Sequence, residues 1–179
     1  MKDEIISSYF RDNRTNFKPI FLVNDIARFW RTMCLNYEYK RGKFLKEHKE
    51  NTEEHVKVKL KNKKLKLNRV WLCYTTLIPL LGEKINNPDK LKNLLSKRTY
   101  DRLKEICYNN NAEKHFEIAS TKYAEFLEKI SNSNNQSSLQ DPKHKIWDEL
   151  NKYGEIFRDN LLKIIDLCIQ DEMKKYLLI

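Results

Sequence analysis

VKVKLKNKKLKLNRVWLCYTTLIPLL, residues 56–81, admits two opposite readings, and the choice between them sets the fold class. Val56, Val58 and Leu60 alternate with lysines, which is the period of a half-buried strand. Leu60, Leu67, Trp71, Tyr74 and Ile78 instead recur on one face of a helix. A strand needs a second strand to satisfy its backbone N–H and C=O groups, and no other segment of the chain alternates in a way that supplies one. The helical reading is therefore preferred over about Val56 to Leu81, with Gly82 as the stop signal.

The rest of the chain agrees with that choice. Only 3 Gly and 4 Pro occur in 179 residues, too few for a sheet joined by tight turns. A hydrophobic fraction of 40% beside a charged fraction of 34% suits amphipathic helices with solvated outer faces. Towards the N-terminus, Ile5, Ile6, Tyr9 and Phe10 make a short amphipathic segment that ends in the polar Arg11 to Asn16. Pro19 then opens a helix that runs from Phe21 to Lys40, or on towards His48, with Gly42 as a C-cap or kink. Lys49 to His55 reads as a charged loop.

Beyond Gly82, Asn87-Pro88-Asp89 is a helix start, with Asn as N-cap, Pro at the first position and an acid in the first turn. Leu91, Leu94, Leu95, Leu103, Ile106 and Cys107 line the core face of that helix, which ends at Asn109 to Asn111. A further helix follows from Ala112 to Ile130. The Ser/Asn/Gln tract Ser131 to Ser138 has nothing to bury and is expected to be a loop. Asp141-Pro142 starts the last helix, expected to reach about Tyr176. The prediction is an all-α single domain over residues 1–179, a bundle of about five helices with one long Ser/Asn-rich loop.

Several chemistries drop out early. Cys34, Cys73, Cys107 and Cys168 are widely spaced within apolar stretches, so they read as free core thiols of a reducing compartment. No Cys/His spacing suits a metal, and no P-loop or Ser/His/Asp arrangement can be assembled. His55, His115 and His144 read as surface histidines, and Trp71 and Trp147 as packing anchors. Asp3 and Glu4 stand where a signal peptide would turn apolar, and Val70 to Leu81 is too short to span a bilayer. A cytoplasmic protein without a membrane partner is expected. The net charge of +10 favours a polyanionic partner, a nucleotide or RNA.

Two segments carry the functional reading. In the helix Phe21 to Lys40, apolar residues occur on every side, which predicts burial nearly all round. Spacings of three and four place Asn24, Arg28 and Arg31 on one strip continued by Glu38, with Asp25 and Thr32 flanking Arg28. A buried charge must be paired or must meet a ligand. These residues are therefore either an internal Arg–acid lock or a phosphate site with Asn24 and Thr32 as hydrogen-bonding partners. The second segment, Val56 to Arg69, carries Lys57, Lys59, Lys61, Lys63, Lys64, Lys66 and Arg69 with no acid among them, a surface suited to a phosphate backbone.

Pro19, Phe21, Leu22, Asn24, Asp25, Ile26, Arg28, Phe29, Trp30, Arg31, Thr32, Tyr37, Glu38 and Lys40 form a pattern. It resembles the opening of the helical C-terminal region in a group of bacterial nucleotidyltransferase-domain proteins. Lys61-Asn62-Lys63-Lys64-Leu65-Lys66-Leu67-Asn68-Arg69 resembles the basic segment that follows in that group, with Lys for its first Arg and Asn for a Ser. The resemblance covers about Ile5 to Leu81. It implies that Asn62, Lys64 and Arg69 belong with the Arg28/Arg31 strip. The catalytic Gly-Ser turn and metal-binding acids of such enzymes sit on an N-terminal α/β domain that nothing before Phe21 encodes. The implied role is therefore accessory. Mg²⁺ and a nucleoside triphosphate enter only with a catalytic partner.

Two other readings stand beside it. One is a protein-interaction subunit that docks on a toxin or defence enzyme. The other is a helical ribonuclease of the HEPN type, for which Arg41 and His48 have the required loose spacing.

Overall fold

Residues 56–81 lie inside one helix, α3 (Glu53–Gly82), in a computed structural model that describes residues 2–10, 19–47, 52–141 and 143–177. The helix starts earlier than its apolar periodicity because Thr52 caps it: the Thr52 hydroxyl accepts the His55 N–H at 3.3 Å. Glu53 and Glu54 then sit in the first turn, where the helix dipole favours acids. Thr52 to His55 is thus helix start and not loop; residues 49–51 lie outside the described residues.

From Val70 to Leu81, α3 carries no charged side chain, and this is the half the other helices surround. Leu77, Ile78, Leu80 and Leu81 are all buried to within 1%. Trp71 begins the buried half by stacking on Tyr123 of α6 (Glu113–Ser131) at 5.2 Å between ring centroids and tilting against Phe157 of α8 (Ile146–Cys168) at 5.9 Å. Those rings join three helices, and such pairs contribute about 0.5–1.5 kcal/mol each beyond the area they bury. Trp71 and Trp147 are both buried, as packing anchors should be.

Gly82 works by closeness and not as a left-handed cap. A Cβ there would meet the Cys168 carbonyl oxygen and Ile106 Cδ1, each at 2.5 Å. Only glycine lets the ends of α3 and α8 approach α5 (Thr99–Asn109) this tightly.

The element from Asn87 to Cys107 proves to be two helices, α4 (Pro88–Ser96) and α5. Its start is as expected, with Asn87 Oδ1 accepting the Lys90 N–H at 2.8 Å. Its interruption has a geometric cause. At about 100° per residue, one straight helix would put Leu94 and Leu103 on opposite sides. A break at Lys97 and Arg98, both in extended backbone, turns both leucines inward. After α5, Asn111 adopts the left-handed conformation (φ 55°), and the Ala112 N–H closes on the Cys107 carbonyl at 2.8 Å.

The last helix is also interrupted. It begins at Ile146, where His144 Nδ1 accepts the Ile146 N–H at 3.1 Å, and ends at Cys168 instead of running to Tyr176. Ile169 is extended, and α9 (Asp171–Lys174) restarts behind the acids Asp171 and Glu172, which lets Met173 and Leu177 reach the core. Pro142 lies outside the described residues.

The Ser/Asn tract is structured: a 3-10 turn at Ser133–Asn135 leads into α7 (Gln136–Gln140). What holds it is Leu139, buried with Val56, Phe126, Ile146, Trp147 and Leu150 in a second apolar cluster beside the main one. No strand occurs among the described residues, so the all-α class stands.

The largest correction concerns α2 (Ile20–Glu47), which continues straight through Gly42, where nothing lies within 4 Å of an added Cβ. It is not buried all round. Val23 and Ala27 are buried, while Phe21 is 71%, Phe29 60%, Leu35 64% and Tyr39 78% exposed. A short helix, α1 (Lys2–Ser8), packs on α4, and the turn following α9 packs on α2.

Candidate functional site

Because α2 and α3 lie side by side, residues at helical spacing on each face one another. Trp30, Cys34, Glu38 and Arg41 on α2 meet Asn62, Lys66, Arg69, Val70, Cys73 and Tyr74 on α3 around a cleft of about 460 Å³. Three cations in its lining, Arg41, Lys66 and Arg69, stand against one carboxylate, Glu38. The remaining lining is largely apolar and aromatic, a surface on which a ring can rest.

The charged groups are held in place by their own neighbours. Arg41 Nε and Nη2 both donate to Glu38 Oε2, at 2.8 and 2.6 Å, so the one acid that lines the cleft among the described residues is already paired. The Arg69 guanidinium lies over the Tyr37 ring at 4.7 Å. A cation–π contact orients a guanidinium while leaving its charge uncancelled. Burial raises the pKa of Tyr37, opposed by Arg41 and Arg69, and burial also raises that of Tyr74. Burial pushes the Cys73 thiol up to about 12, so it stays a neutral packing group near neutral pH.

The predicted strip on α2 divides. Glu38, Asn62 and Arg69 meet in the cleft just described. Asn24, Arg28 and Arg31 line a separate shallow depression of about 210 Å³ with Ala27, Lys175 and Tyr176. Asp25 does not flank Arg28 as a partner: its Oδ2 accepts the Tyr9 hydroxyl at 2.8 Å and so ties the segment following α1 to α2. That contact raises the pKa of Tyr9. Thr32 spends its hydroxyl on the Arg28 carbonyl of its own helix, at 2.9 Å. Arg28, Arg31 and Thr32 are exposed, so no buried Arg–acid lock is built from them. Lys64 is exposed and lines neither depression.

On its other side, α3 borders α8 across a second cleft of about 270 Å³. Lys63, Lys66 and Arg158 line it with Asn151, Gly154, Glu155 and an apolar set that includes Leu67, Val70 and Phe157. Lys63 donates to Asn151 Oδ1 and, with Lys59, lies over the Trp147 ring, at 5.9 and 4.7 Å respectively. Burial, then the charges of Lys59 and Lys66, lower the Lys63 pKa.

Lys66 was legible in principle, since it stands four residues after Asn62 and three before Arg69 on a helix. Arg158 and Lys175 were not, because only tertiary packing brings α8 and the C-terminal turn to these faces. Arg102 of α5 is another residue the pattern hides: it is 8% exposed, and its Nε has no hydrogen-bond partner among the described residues.

The remaining candidates resolve simply. His115 bonds Asn160 at 2.8 Å, and His144 caps α8. Of the Arg41/His48 pair, Arg41 is engaged by Glu38 and His48 lies outside the described residues. No group of three or more potential metal ligands occurs among the described residues. No described helix is long and apolar enough to cross a membrane. Comparison with family models, with curated proteins and with solved structures gives no match to this chain.

Proposed function

We propose that the chain is a non-catalytic helical accessory domain that binds a phosphate-bearing ligand, nucleotide or nucleic acid, in the cleft between α2 and α3. The observation that carries this reading is the charge balance of that cleft: Lys66 and Arg69 converge on it, and Glu38, its one acid among the described residues, is already paired with Arg41. Phosphate oxygens accept from guanidinium and ammonium groups in charge-assisted bonds. Trp30 and Tyr74 give a base a ring to lie against. The nucleotidyltransferase resemblance agrees, since it calls for a surface that holds nucleotide or acceptor for a catalytic partner. Mg²⁺ would enter with that partner's acids.

The test is a binding titration of the intact chain with a nucleoside triphosphate and with short RNA. Lys66→Ala with Arg69→Ala should weaken binding at least about tenfold, since charge-assisted bonds contribute about 1.5–3 kcal/mol each. The melting temperature should stay nearly constant. Unchanged affinity would rule out this cleft.

A second reading, a protein-interaction subunit of a toxin–antitoxin or defence system, is favoured by the outer face of α2. Phe21, Phe29, Leu35 and Tyr39 are exposed there between Arg28, Lys40 and Lys43, a surface suited to an apolar strip edged with carboxylates. Leu35→Glu would then abolish co-purification with the partner and leave nucleotide binding intact.

A further inference from the structure

The two clefts that flank α3 are not independent. Lys66 and Val70 line both, so each opens on one side of a shared ridge. From that juxtaposition we infer that the ligand is a single-stranded nucleic acid lying across α3, contacting both clefts with Lys66 between them. This rests on the phosphate-binding reading of the α2–α3 cleft and extends it to a ligand class.

The charges favour a strand over a mononucleotide. Across both clefts five cations, Arg41, Lys63, Lys66, Arg69 and Arg158, face two lining carboxylates, Glu38 and Glu155. Glu38 is paired with Arg41, and Arg158 also bonds Asp159 at 3.0 Å. A mononucleotide in the α2–α3 cleft leaves Lys63, whose side chain donates to the neutral Asn151 amide and has no carboxylate partner among the described residues, uncompensated on the other side. Lys63 is also crowded by Lys59 and Lys66 in a partly desolvated place, which a polyanion would relieve.

The shape favours single strands over duplex. A helix with its side chains is about 10–12 Å across, a width that a flexible chain of a few nucleotides can cross while its bases turn into the depressions. Both depressions have apolar linings, Trp30 and Tyr74 on one side, the half-buried Leu67 and Val70 on the other. Bases already stacked in a duplex cannot enter them. A basic track interleaved with apolar and aromatic surface is the general solution for binding single strands, with sites of about 4–16 nucleotides.

The experiment measures fluorescence anisotropy of the full chain with uniform pyrimidine oligonucleotides of increasing length, as RNA and as DNA. A labelled nucleoside triphosphate and a duplex of equal length serve as comparisons. Affinity should rise at least tenfold from the triphosphate to an oligonucleotide of about 8 residues. Lys63→Glu with Arg158→Glu should remove that rise. Losing two phosphate contacts should also reduce the salt slope of the oligonucleotide by about 1.4. The RNA and DNA arms show which sugar is preferred. Triphosphate binding with no gain from length would overturn this inference and leave the α2–α3 cleft standing. Duplex bound as tightly as single strand would overturn it too. No binding of any of these ligands would remove both. The length series on the unmodified chain decides the matter even where the double variant fails to fold.

Discussion

Two apolar stretches of this chain, α2 and the second half of α3, meet opposite fates. Residues 70–81 are covered on nearly every side, with Leu72 the one strongly exposed hydrophobic among them, whereas α2 shows Phe21, Phe29, Leu35 and Tyr39 to solvent. Both have apolar residues all round the helix. What separates them is interruption by charge: none falls between Val70 and Leu81, while α2 carries Asp25, Arg28, Arg31, Glu38, Lys40, Arg41 and Lys43. Each charged group would cost several kcal/mol to bury without compensation. A helix with a charge in nearly every turn therefore keeps one side in water, whatever its aromatics would gain by burial. Counting apolar directions is a poor guide to burial; the longest charge-free run is a better one.

That contrast can be broken most directly by truncating one apolar side chain on each helix. Leu77, fully buried in α3, should lose about 3 kcal/mol on Leu77→Ala, from the lost transfer free energy and the cavity left behind. Phe29→Ala on α2 removes a larger side chain and should cost under about 0.5 kcal/mol, as exposed sites do. Urea denaturation of both variants checks the pair. Equal losses would mean that the outer face of α2 is covered in solution, as a docked partner or second copy would cover it.

The next effect tests how tightly the buried half of α3 ends. Gly82→Ala places a methyl 2.5 Å from the Cys168 carbonyl oxygen, which is backbone and cannot swing away. Overpacking of this kind costs about 1–3 kcal/mol, and the thermal midpoint should fall accordingly. An unchanged midpoint would show that α8 can move off α3 at little cost.

A pH titration sharpens the same contrast through Cys73. Burial raises its folded-state pKa to about 12, above the value it has in the unfolded chain. The fold thus favours the neutral thiol, and the stabilisation is complete below the unfolded pKa, near 8.5. It is then lost as pH rises towards 12, at about 1.4 kcal/mol per unit at most. Comparing Cys73→Ala with the parent chain between pH 8 and 11 isolates this contribution from the lysines and tyrosines that titrate nearby. The parent should lose stability faster. Parallel curves would place Cys73 in contact with water.

The same physics explains how much could be read from residue order. Asn87-Pro88, Asn109 to Asn111 and the helical spacing through Ile78 are local signals, and each did what its chemistry requires. The breaks at Lys97–Arg98 and Ile169–Gln170 carry no Pro or Gly and were missed. There the chain gives up local continuity so that Leu103 and Met173 can reach the core. At the site, Glu38, Asn62 and Arg69 were legible as helix-face residues, but their separation from Asn24, Arg28 and Arg31 was not. One strip on α2 faces two different neighbours along its length, and only packing decides which.

The smallest effect concerns Gly42, within α2 and facing open space. From the sequence alone a glycine there reads as a cap or kink, yet the helix runs five residues past it to Glu47. Its backbone takes no positive φ, so glycine's freedom is not used in the folded state and is lost on folding. Gly42→Ala should therefore stabilise the chain by about 0.5–1 kcal/mol, through reduced entropy of the unfolded state and better helix propensity. The substitution leaves every residue of the α2–α3 cleft in place and lies one position after Arg41. If the glycine serves only as a weak point in the helix, ligand affinity stays constant while stability rises. If α2 must flex there to admit a strand, affinity falls as stability rises, and the exposed helix would prove to be tuned for motion where the buried one is tuned for packing.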